Sequence, residues 1–327
     1  MSKWDKEYIQ LCKKILTEGT EVENRTGINT IKIPAYHFEL NVGEEFPILT
    51  SKQLFIRQAV LEMLWIYQVQ SNDVNWLQDR NVRIWDEWQI DDDGIYRIYE
   101  PSGEYKDVLK PLKDLDGNIM KDNDGDTIMV ASLIQGKTLK EAKFYGIEKA
   151  GTIGTAYGYI VDKFKSIDRL LDNLKNNPTD RRMLISLWQD DYLKTAVLPS
   201  CVWSSEWDVT EGKLNLWVHQ RSCDVPLGLP FNVTQYATLL KMIAQVTQLE
   251  AGTLNWSIKD AHIYKNQING IKEQIDRFDN LGDIKAPSVW INPEINDFYK
   301  FDNSEECKDV KVLNYKHHGK IKFPLTQ

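Results

Sequence analysis

One short stretch of this sequence, residues 198–232, combines a candidate nucleophile with the cation that would activate it. Cys201 lies near its start, and Arg221 follows twenty residues later. A free thiol is mostly protonated near neutral pH, and a nearby guanidinium favours the thiolate, which is the form that attacks. The remaining donors of Arg221, together with the hydroxyl of Ser222, suit a phosphate group. The stretch therefore indicates covalent chemistry on an anionic substrate.

The same stretch ends in a residue that can read a base. Asn232 closes the run Gly-Leu-Pro-Phe-Asn, and its amide offers both a donor and an acceptor, so it can pair with the carbonyl and ring N–H of uracil. Asn232 is also a reasonable helix N-cap, and Cys201 taken alone is more often a small buried residue, as we predict for Cys12, Cys223 and Cys307. The nucleotide interpretation is favoured because all the parts occur together.

The segment between the cysteine and the arginine is the element that must position them. Residues 207–214 alternate in polarity on either side of a Glu-Gly pair, which predicts a hairpin that brings Cys201 and Arg221 onto neighbouring strands. Elsewhere the hydrophobic periodicity predicts a mixture of helices and strands. We expect helices at 3–18, 52–70, 166–176 and 233–248, and strands at 31–40, 182–189, 202–209, 213–221 and 253–258.

Three further side chains have the types needed for proton transfer or hydroxyl binding. Glu62 lies in an almost wholly apolar helical run, residues 59–66. Desolvation there would raise the pKa of Glu62 toward the range used in proton transfer. An outward-facing Glu62 is the alternative, which its apolar neighbours make less favourable. His262 and Tyr264 would share a strand face, so both can meet one hydroxyl.

Composition argues against several classes of function. The net charge of −8 disfavours general nucleic-acid binding, which needs a basic face. Four cysteines without Cys-x-x-Cys spacing and five histidines give no metal constellation. No apolar run is long enough to span a membrane, and the N-terminus lacks the apolar core of a secretory signal. We therefore expect a cytoplasmic protein, in the host cytoplasm if the source is viral.

The composition of the sequence changes between about residues 91 and 151, which are rich in Asp, Gly and Lys. Residues 115–119 and 123–127 each resemble a tight turn between short strands. Their glycine spacing does not fit the EF-hand loop, so we predict a solvated, hairpin-rich insertion without calcium.

Taken together, these residues resemble the thymidylate synthase family, in the family's order from near residue 20 to the C-terminus. The segments that carry the resemblance are Pro199-Ser200-Cys201, Gln220 to Asn232, Arg181-Arg182, Trp85-Asp86-Glu87-Trp88, Glu62-Met63-Leu64-Trp65 and Asp260-Ala261-His262-Ile263-Tyr264. The resemblance implies a mixed α/β (α+β) fold with a large mixed sheet flanked by helices. It also implies one domain, residues 1–327, interrupted by the insertion, and a homodimer formed through one sheet face.

The family's reaction transfers a one-carbon unit from 5,10-methylenetetrahydrofolate to carbon 5 of dUMP and reduces it with a hydride from the same folate, without a metal. By this resemblance Cys201 adds to carbon 6 of uracil, and Arg181 and Arg182 reach the other subunit's phosphate site. The catalytic residues implied are Cys201, Glu62, Tyr157, Arg221 and Asn232. The dUMP contacts implied are Arg25, Arg181, Arg182, Gln220, Arg221, Ser222, Asp224, Asn232, His262 and Tyr264. The folate contacts implied are Lys52, Trp85, Trp88, Asp224 and Gly228.

Two departures from the family's pattern leave alternatives open. Val202 stands where histidine is often found, and the chain ends in a polar Thr326-Gln327 instead of a small apolar tail that excludes water. If water replaced the hydride, the product would be 5-hydroxymethyl-dUMP, so a dUMP hydroxymethylase is the runner-up. Trp85 favours the synthase, and Asn232 disfavours a dCMP-specific version. A catalytically idle homologue is disfavoured because Cys201, Arg221, Glu62 and Asn232 occur together.

Overall fold

The computed structural model describes residues 2–112, 119–122, 124–125, 127–282 and 284–326. The chain forms two compact units, one comprising Met1–Gln89 and Gly151–Gln327 and the other Ile90–Ala150. The α-helices are α1 Lys3–Glu18, α2 Ile56–Tyr67, α3 Val74–Gln78, α4 Gly158–Lys163, α5 Ser166–Asn176, α6 Leu229–Val246 and α7 Ile268–Asn280. The strands are β1 Thr20–Val22, β2 Thr30–Asn41, β3 Ile95–Pro111, β4 Met129–Phe144, β5 Leu184–Ser186, β6 Val202–Thr210, β7 Lys213–Gln220, β8 Cys223–Asp224, β9 Glu250–Tyr264, β10 Ser288–Ile291 and β11 Val310–Leu313.

A seven-stranded mixed sheet organises the larger unit. Its order is β1-β2-β9-β7-β6-β5, with β8 paired to β9. The β7–β9 and β8–β9 pairings are parallel, and the other pairings are antiparallel. The expected fold class, a large mixed sheet flanked by helices, is thus confirmed.

The predicted β6–β7 hairpin is confirmed. Glu211 and Gly212 both have positive φ, 51° and 76°, as a two-residue hairpin turn requires. At the other end of the hairpin Val202 pairs with Gln220, and the Arg221 N–H donates to the Cys201 carbonyl over 2.9 Å. The hairpin therefore holds the thiol and the guanidinium side by side, just beyond the paired strands.

Helices α2 and α6 pack against each other and supply much of the core. Leu61, Leu64, Leu239 and Leu240 are fully buried, and each such side chain contributes about 1.5–3 kcal/mol of transfer free energy. This packing fixes the face of α2 that carries Glu62.

Several predicted boundaries are corrected by tertiary contacts. α1 and α5 match their predictions, but α2 begins at Ile56 because the preceding residues 50–54 are held elsewhere. The Thr50 and Ser51 N–H groups donate to the Asp5 carboxylate, and the Leu54 N–H donates to the Tyr315 hydroxyl. The predicted strand at 182–189 shrinks to β5.

α6 and β9 are both longer than predicted. α6 starts at Leu229, with Gly228 as its N-cap and proline in the first turn, so the N-cap interpretation of Asn232 is wrong. β9 runs on from Ile258 to Tyr264, because its residues pair with β2 and β8.

In its described residues the smaller unit pairs β3 with β4 as long antiparallel strands, with register shifts between Ile98 and Tyr99 and between Pro101 and Tyr105. The predicted turn at 115–119 lies mostly outside the described residues. At the second predicted turn, an isolated bridge pairs Lys121 with Thr127, and Gly125 has a φ of 87°.

The described residues contain no helix that is both long and apolar enough to cross a membrane. They also contain no group of three or more His, Cys, Asp or Glu side chains placed to hold a metal ion.

Candidate active site

Cys201 is half-buried where the chain enters β6. Its backbone N–H donates to the Tyr157 hydroxyl over 3.2 Å. Burial raises the pKa of the Cys201 thiol above its ordinary value, while Arg221 and then Arg25 act to lower it. Arg221 thus favours the thiolate, as expected, but desolvation of the buried thiol outweighs this effect.

The backbone that presents Tyr157 is unusual. Tyr157 has a φ of 49°, which few non-glycine residues adopt, and it immediately precedes α4. A Cβ on the next residue, Gly158, would lie 2.0 Å from the Ser71 carbonyl oxygen, so the segment packs closely against residue 71. This close packing holds the Tyr157 hydroxyl at the Cys201 N–H.

Arg221 is anchored to the loop that carries the cysteine. Its Nε donates to the Ser200 carbonyl over 3.1 Å and its Nη2 donates to the Pro199 carbonyl over 2.7 Å. The guanidinium carbon lies 5.4 Å from the centre of the Trp188 ring. A guanidinium has five N–H donors, so most of them remain free of partners among the described residues.

Glu62 is half-buried on α2, with buried apolar residues on both sides of it in the sequence. The Trp85 Nε1 donates to its Oε1 over 2.8 Å, and the Gln235 Nε2 donates to its Oε2. Burial raises the pKa of Glu62 to about 7, against the opposing effect of these two hydrogen bonds. Glu62 can therefore hold or release a proton near neutral pH. The Trp85 ring centre also lies 5.2 Å from that of Tyr157, so one indole contacts both Glu62 and Tyr157.

Asn232 lies in the first turns of α6 and is held from both sides. The Gln220 Nε2 donates to its Oδ1 over 3.3 Å, and its Nδ2 donates to the Gln235 Oε1 over 3.2 Å. Gln235 was not among the predicted residues. The helical spacing of three between Asn232 and Gln235 is the signal that could have found it.

Asp224 lies on β8 beside the end of β9. Its carboxylate accepts from the Leu227 N–H over 3.0 Å and from the Gln267 Nε2 over 2.9 Å. Burial raises the pKa of Asp224. The Gly228 N–H donates to the Asp224 carbonyl, so the turn into α6 is tied to β8.

His262 and Tyr264 lie near the end of β9, with ring centres 5.2 Å apart. The His262 Nδ1 lies 3.1 Å from the Asp260 Oδ1. The hydrogen bond from His262 lowers the pKa of Asp260 to about 2. The predicted shared strand face is confirmed, and Asp260 is a partner that the sequence interpretation did not assign.

The predicted arginines differ in placement. Arg25 is exposed in the turn between β1 and β2, yet close enough to lower the pKa of Cys201. Arg181 and Arg182 are exposed before β5, and Arg182 binds the Asp180 carboxylate over 2.9 Å. In the part of the chain that the structure describes, no contact joins Arg181 or Arg182 to Cys201.

Lys52 and the C-terminal segment meet in one place. The buried Lys52 Nζ donates to the Pro226 carbonyl over 2.7 Å and lies 4.6 Å from the centre of the Phe323 ring. Burial lowers the pKa of Lys52 to about 8. The Gln267 Nε2 donates to the Pro324 carbonyl, so the segment before the polar tail packs against the turn that follows β9.

Among the remaining predicted residues, Ser222, Trp88 and Gly228 are half-buried. The Trp88 ring packs edge-on against Trp85 at 5.4 Å. Because Gly228 has no side chain, a ligand can approach its backbone at the start of α6.

Comparison with known proteins identifies close relatives along the whole chain. The family model described as thymidylate synthase matches residues 6–327. The thymidylate synthase of Clostridium beijerinckii is 40% identical over 326 residues, and thymidylate synthase 1 of Bacillus subtilis strain 168 is 34% identical over 344, each alignment covering 100% of both chains. The solved structure of the thermostable thymidylate synthase A from Bacillus subtilis matches with a TM-score of 0.75, 33% identity and 100% coverage of both chains.

Proposed function

The chain belongs to the thymidylate synthase family and is a one-carbon methyltransferase, and from this premise we propose that its catalytic centre is the pocket around Cys201, Glu62 and Asn232. The proposal rests on three kinds of functional group that lie close together there. These are a thiol beside a guanidinium, a carboxylate with a pKa of about 7, and an amide held in one orientation for base reading. The family implies dUMP and a folate as substrates.

Cys201 is the nucleophile in this proposal. Its Sγ bonds to carbon 6 of uracil, which makes carbon 5 nucleophilic, and the same bond breaks once carbon 5 has gained the one-carbon unit and lost its proton. Arg221 and Arg25 stabilise the thiolate as it forms. Their free donors, together with Ser222, Arg181 and Arg182, bind the 5′-phosphate.

Glu62 and Tyr157 manage the proton transfers. A carboxyl group that titrates near neutral pH can both give and take a proton in one turnover. The Tyr157 hydroxyl accepts from the Cys201 N–H, so its own proton points to other groups in the pocket. Asn232 reads the uracil edge with help from Gln220, while His262 and Tyr264 bind the deoxyribose hydroxyl.

The residues proposed to bind folate adjoin the proposed catalytic groups, since Trp85 donates to Glu62 and a Cβ on Gly228 would lie 3.7 Å from the Asn232 Oδ1. Trp85 and Trp88 offer aromatic rings, Asp224 offers a half-buried carboxylate, and Gly228 offers an open approach at the start of α6. When bound, the folate supplies the one-carbon unit and the hydride. Lys52 completes the predicted set, although its amine donates to Pro226 here.

We propose further that the enzyme is a homodimer formed through one face of the large sheet. That face carries Trp203, Trp217 and Leu184, which are 38%, 45% and 45% exposed. Large apolar side chains grouped on one surface favour an interface. A second copy would also give Arg181 and Arg182 a phosphate to bind. The unit Ile90–Ala150 is proposed as an insertion in one domain, and a cytoplasmic location stays a prediction.

The function is tested by incubating the protein with dUMP and 5,10-methylenetetrahydrofolate and identifying both products by mass. We expect dTMP and dihydrofolate in equal amounts. Hydroxymethyl-dUMP with tetrahydrofolate would instead assign the hydroxymethylase reaction. Tight binding of dUMP without any folate-dependent adduct at Cys201 would indicate a non-catalytic homologue.

A further inference from the structure

The hydrogen bonds around Asn232 extend beyond the pocket to a buried tryptophan on β9. The Trp256 Nε1 donates to the Gln220 Oε1 over 3.0 Å, and the Gln220 Nε2 donates onward to Asn232. Asn232 then donates to Gln235, whose Nε2 donates to the Glu62 carboxylate. The result is a one-way chain of donors that runs from Trp256 to Glu62.

The direction of this chain is fixed at its first member. An indole nitrogen is a donor only, so the amide that faces it must present its carbonyl oxygen. The Gln220 amino group must then face Asn232, so Asn232 must accept this hydrogen bond with its Oδ1. At the other end Glu62 can only accept while it is ionised and can also donate once it is protonated, whereas the Trp256 indole is a donor at every pH.

Each atom of the Asn232 amide keeps one bonding position free. Its Oδ1 has a second lone pair and its Nδ2 has a second hydrogen. Uracil presents a carbonyl acceptor and a ring N–H donor, which complement these two positions. Cytosine presents the reverse pattern, with an amino donor and a ring-nitrogen acceptor. Reading cytosine would require Asn232 to flip, which sets amino group against amino group at Gln220 and carbonyl against carbonyl at Gln235.

We propose that Trp256 is a positioning residue that sets the orientation of the Asn232 amide and thereby discriminates uracil from cytosine. This rests on the proposed role of Asn232 in base reading. The indole is fully buried, stacks on Phe38 at 6.2 Å and meets the Tyr236 ring edge-on at 5.5 Å, so it cannot turn its N–H away. Gln220 is also buried, at 3% exposed, so both members of this hydrogen bond are held inside the core.

The test compares the affinities of dUMP and dCMP by equilibrium binding. Trp256→Phe removes the donor and keeps an aromatic ring, and Gln220→Met removes the relay without shrinking the tryptophan site. Trp4→Phe is the matched control, because Trp4 is also buried and packs on Phe38, yet among the described residues its Nε1 has no partner.

We expect the preference for dUMP over dCMP to fall roughly tenfold or more in Trp256→Phe and in Gln220→Met, since a two-bond base contact discriminates by this order. Trp4→Phe should keep the wild-type preference. An unchanged preference in Gln220→Met, or in folded Trp256→Phe, would overturn the inference. A wild-type protein that bound dCMP as tightly as dUMP would instead contradict the base-reading role of Asn232 itself.

Discussion

The base-reading end and the phosphate-binding end of the proposed site are built in opposite ways. At the base end, Asn232 and Glu62 are held on both sides by partners within the same chain. At the phosphate end, Arg25, Arg181 and Arg182 are exposed. We therefore expect that one chain suffices to position the base-reading amide, whereas the exposed arginines become ordered by the substrate and by the second copy of the proposed dimer.

The strongest test of the base end removes its nucleophile. Cys201→Ser should lower turnover by on the order of 10⁴-fold or more, because a hydroxyl in the same place is a far weaker nucleophile. Binding of dUMP should persist, since the phosphate and base contacts remain. Steady-state assays and equilibrium binding measure the two effects separately.

The matched control for this substitution is Cys307→Ala. Cys307 is buried and free, and it lies outside the proposed pocket. This variant should keep its turnover. Near-normal turnover in Cys201→Ser would exclude the covalent scheme.

The next largest effect is expected from Glu62→Gln. Loss of a group that transfers protons should lower kcat by roughly 10²–10⁴-fold. The exposed Glu250 provides a control, since Glu250→Gln should leave kcat unchanged. An unchanged kcat in Glu62→Gln would show that Glu62 takes no part in the rate-limiting proton transfers.

The same variant should alter how stability depends on pH. The pKa of Glu62 is about 7 in the folded chain, against an ordinary value of 4.5. Between these values the folded chain binds the proton more tightly than the unfolded chain, so the Glu62 contribution to the free energy of unfolding falls with rising pH, by about 3 kcal/mol. Glutamine cannot titrate, and denaturant unfolding from pH 4 to 8 should show this fall in wild type only.

A smaller effect is expected from Trp85→Phe. The indole N–H favours the ionised form of Glu62, so its removal should raise the Glu62 pKa further, by roughly one pH unit. The pH window over which stability falls should then extend above 7. Trp88→Phe is the control, because Trp88 packs on Trp85 without a hydrogen bond to Glu62. If stability stopped falling at the same pH in Trp85→Phe as in wild type, the indole would have no effect on the pKa of Glu62.

The sequence predicts the two ends of the site unequally. The β6–β7 hairpin follows from local alternation and a Glu-Gly turn, so the pairing of Cys201 with Arg221 was predictable. Local patterns also place the α1 and α5 helices correctly. The start of α6 was predicted wrongly, because Gly228 takes the N-cap position that the sequence equally allowed Asn232 to fill.

Partners that meet across the fold left no local signal. Trp256 and Gln220 lie 36 residues apart on parallel strands, and their contact depends on the register of β7 with β9. Gln267 reaches Asp224 in the same way, from the turn after β9. Burial of Cys201 also depends on the assembled core, which is why its raised pKa was not predicted from Arg221 alone.

The difference between the base-reading end and the phosphate-binding end depends most on whether a second copy supplies Arg181 and Arg182 to the phosphate. The direct measurement mixes Cys201→Ser with an Arg181→Ala, Arg182→Ala double variant, each nearly inactive alone. Random exchange makes half of the dimers hybrid, each with one complete site, so about one quarter of wild-type activity should return. Persistent inactivity in verified heterodimers would contradict the shared phosphate site.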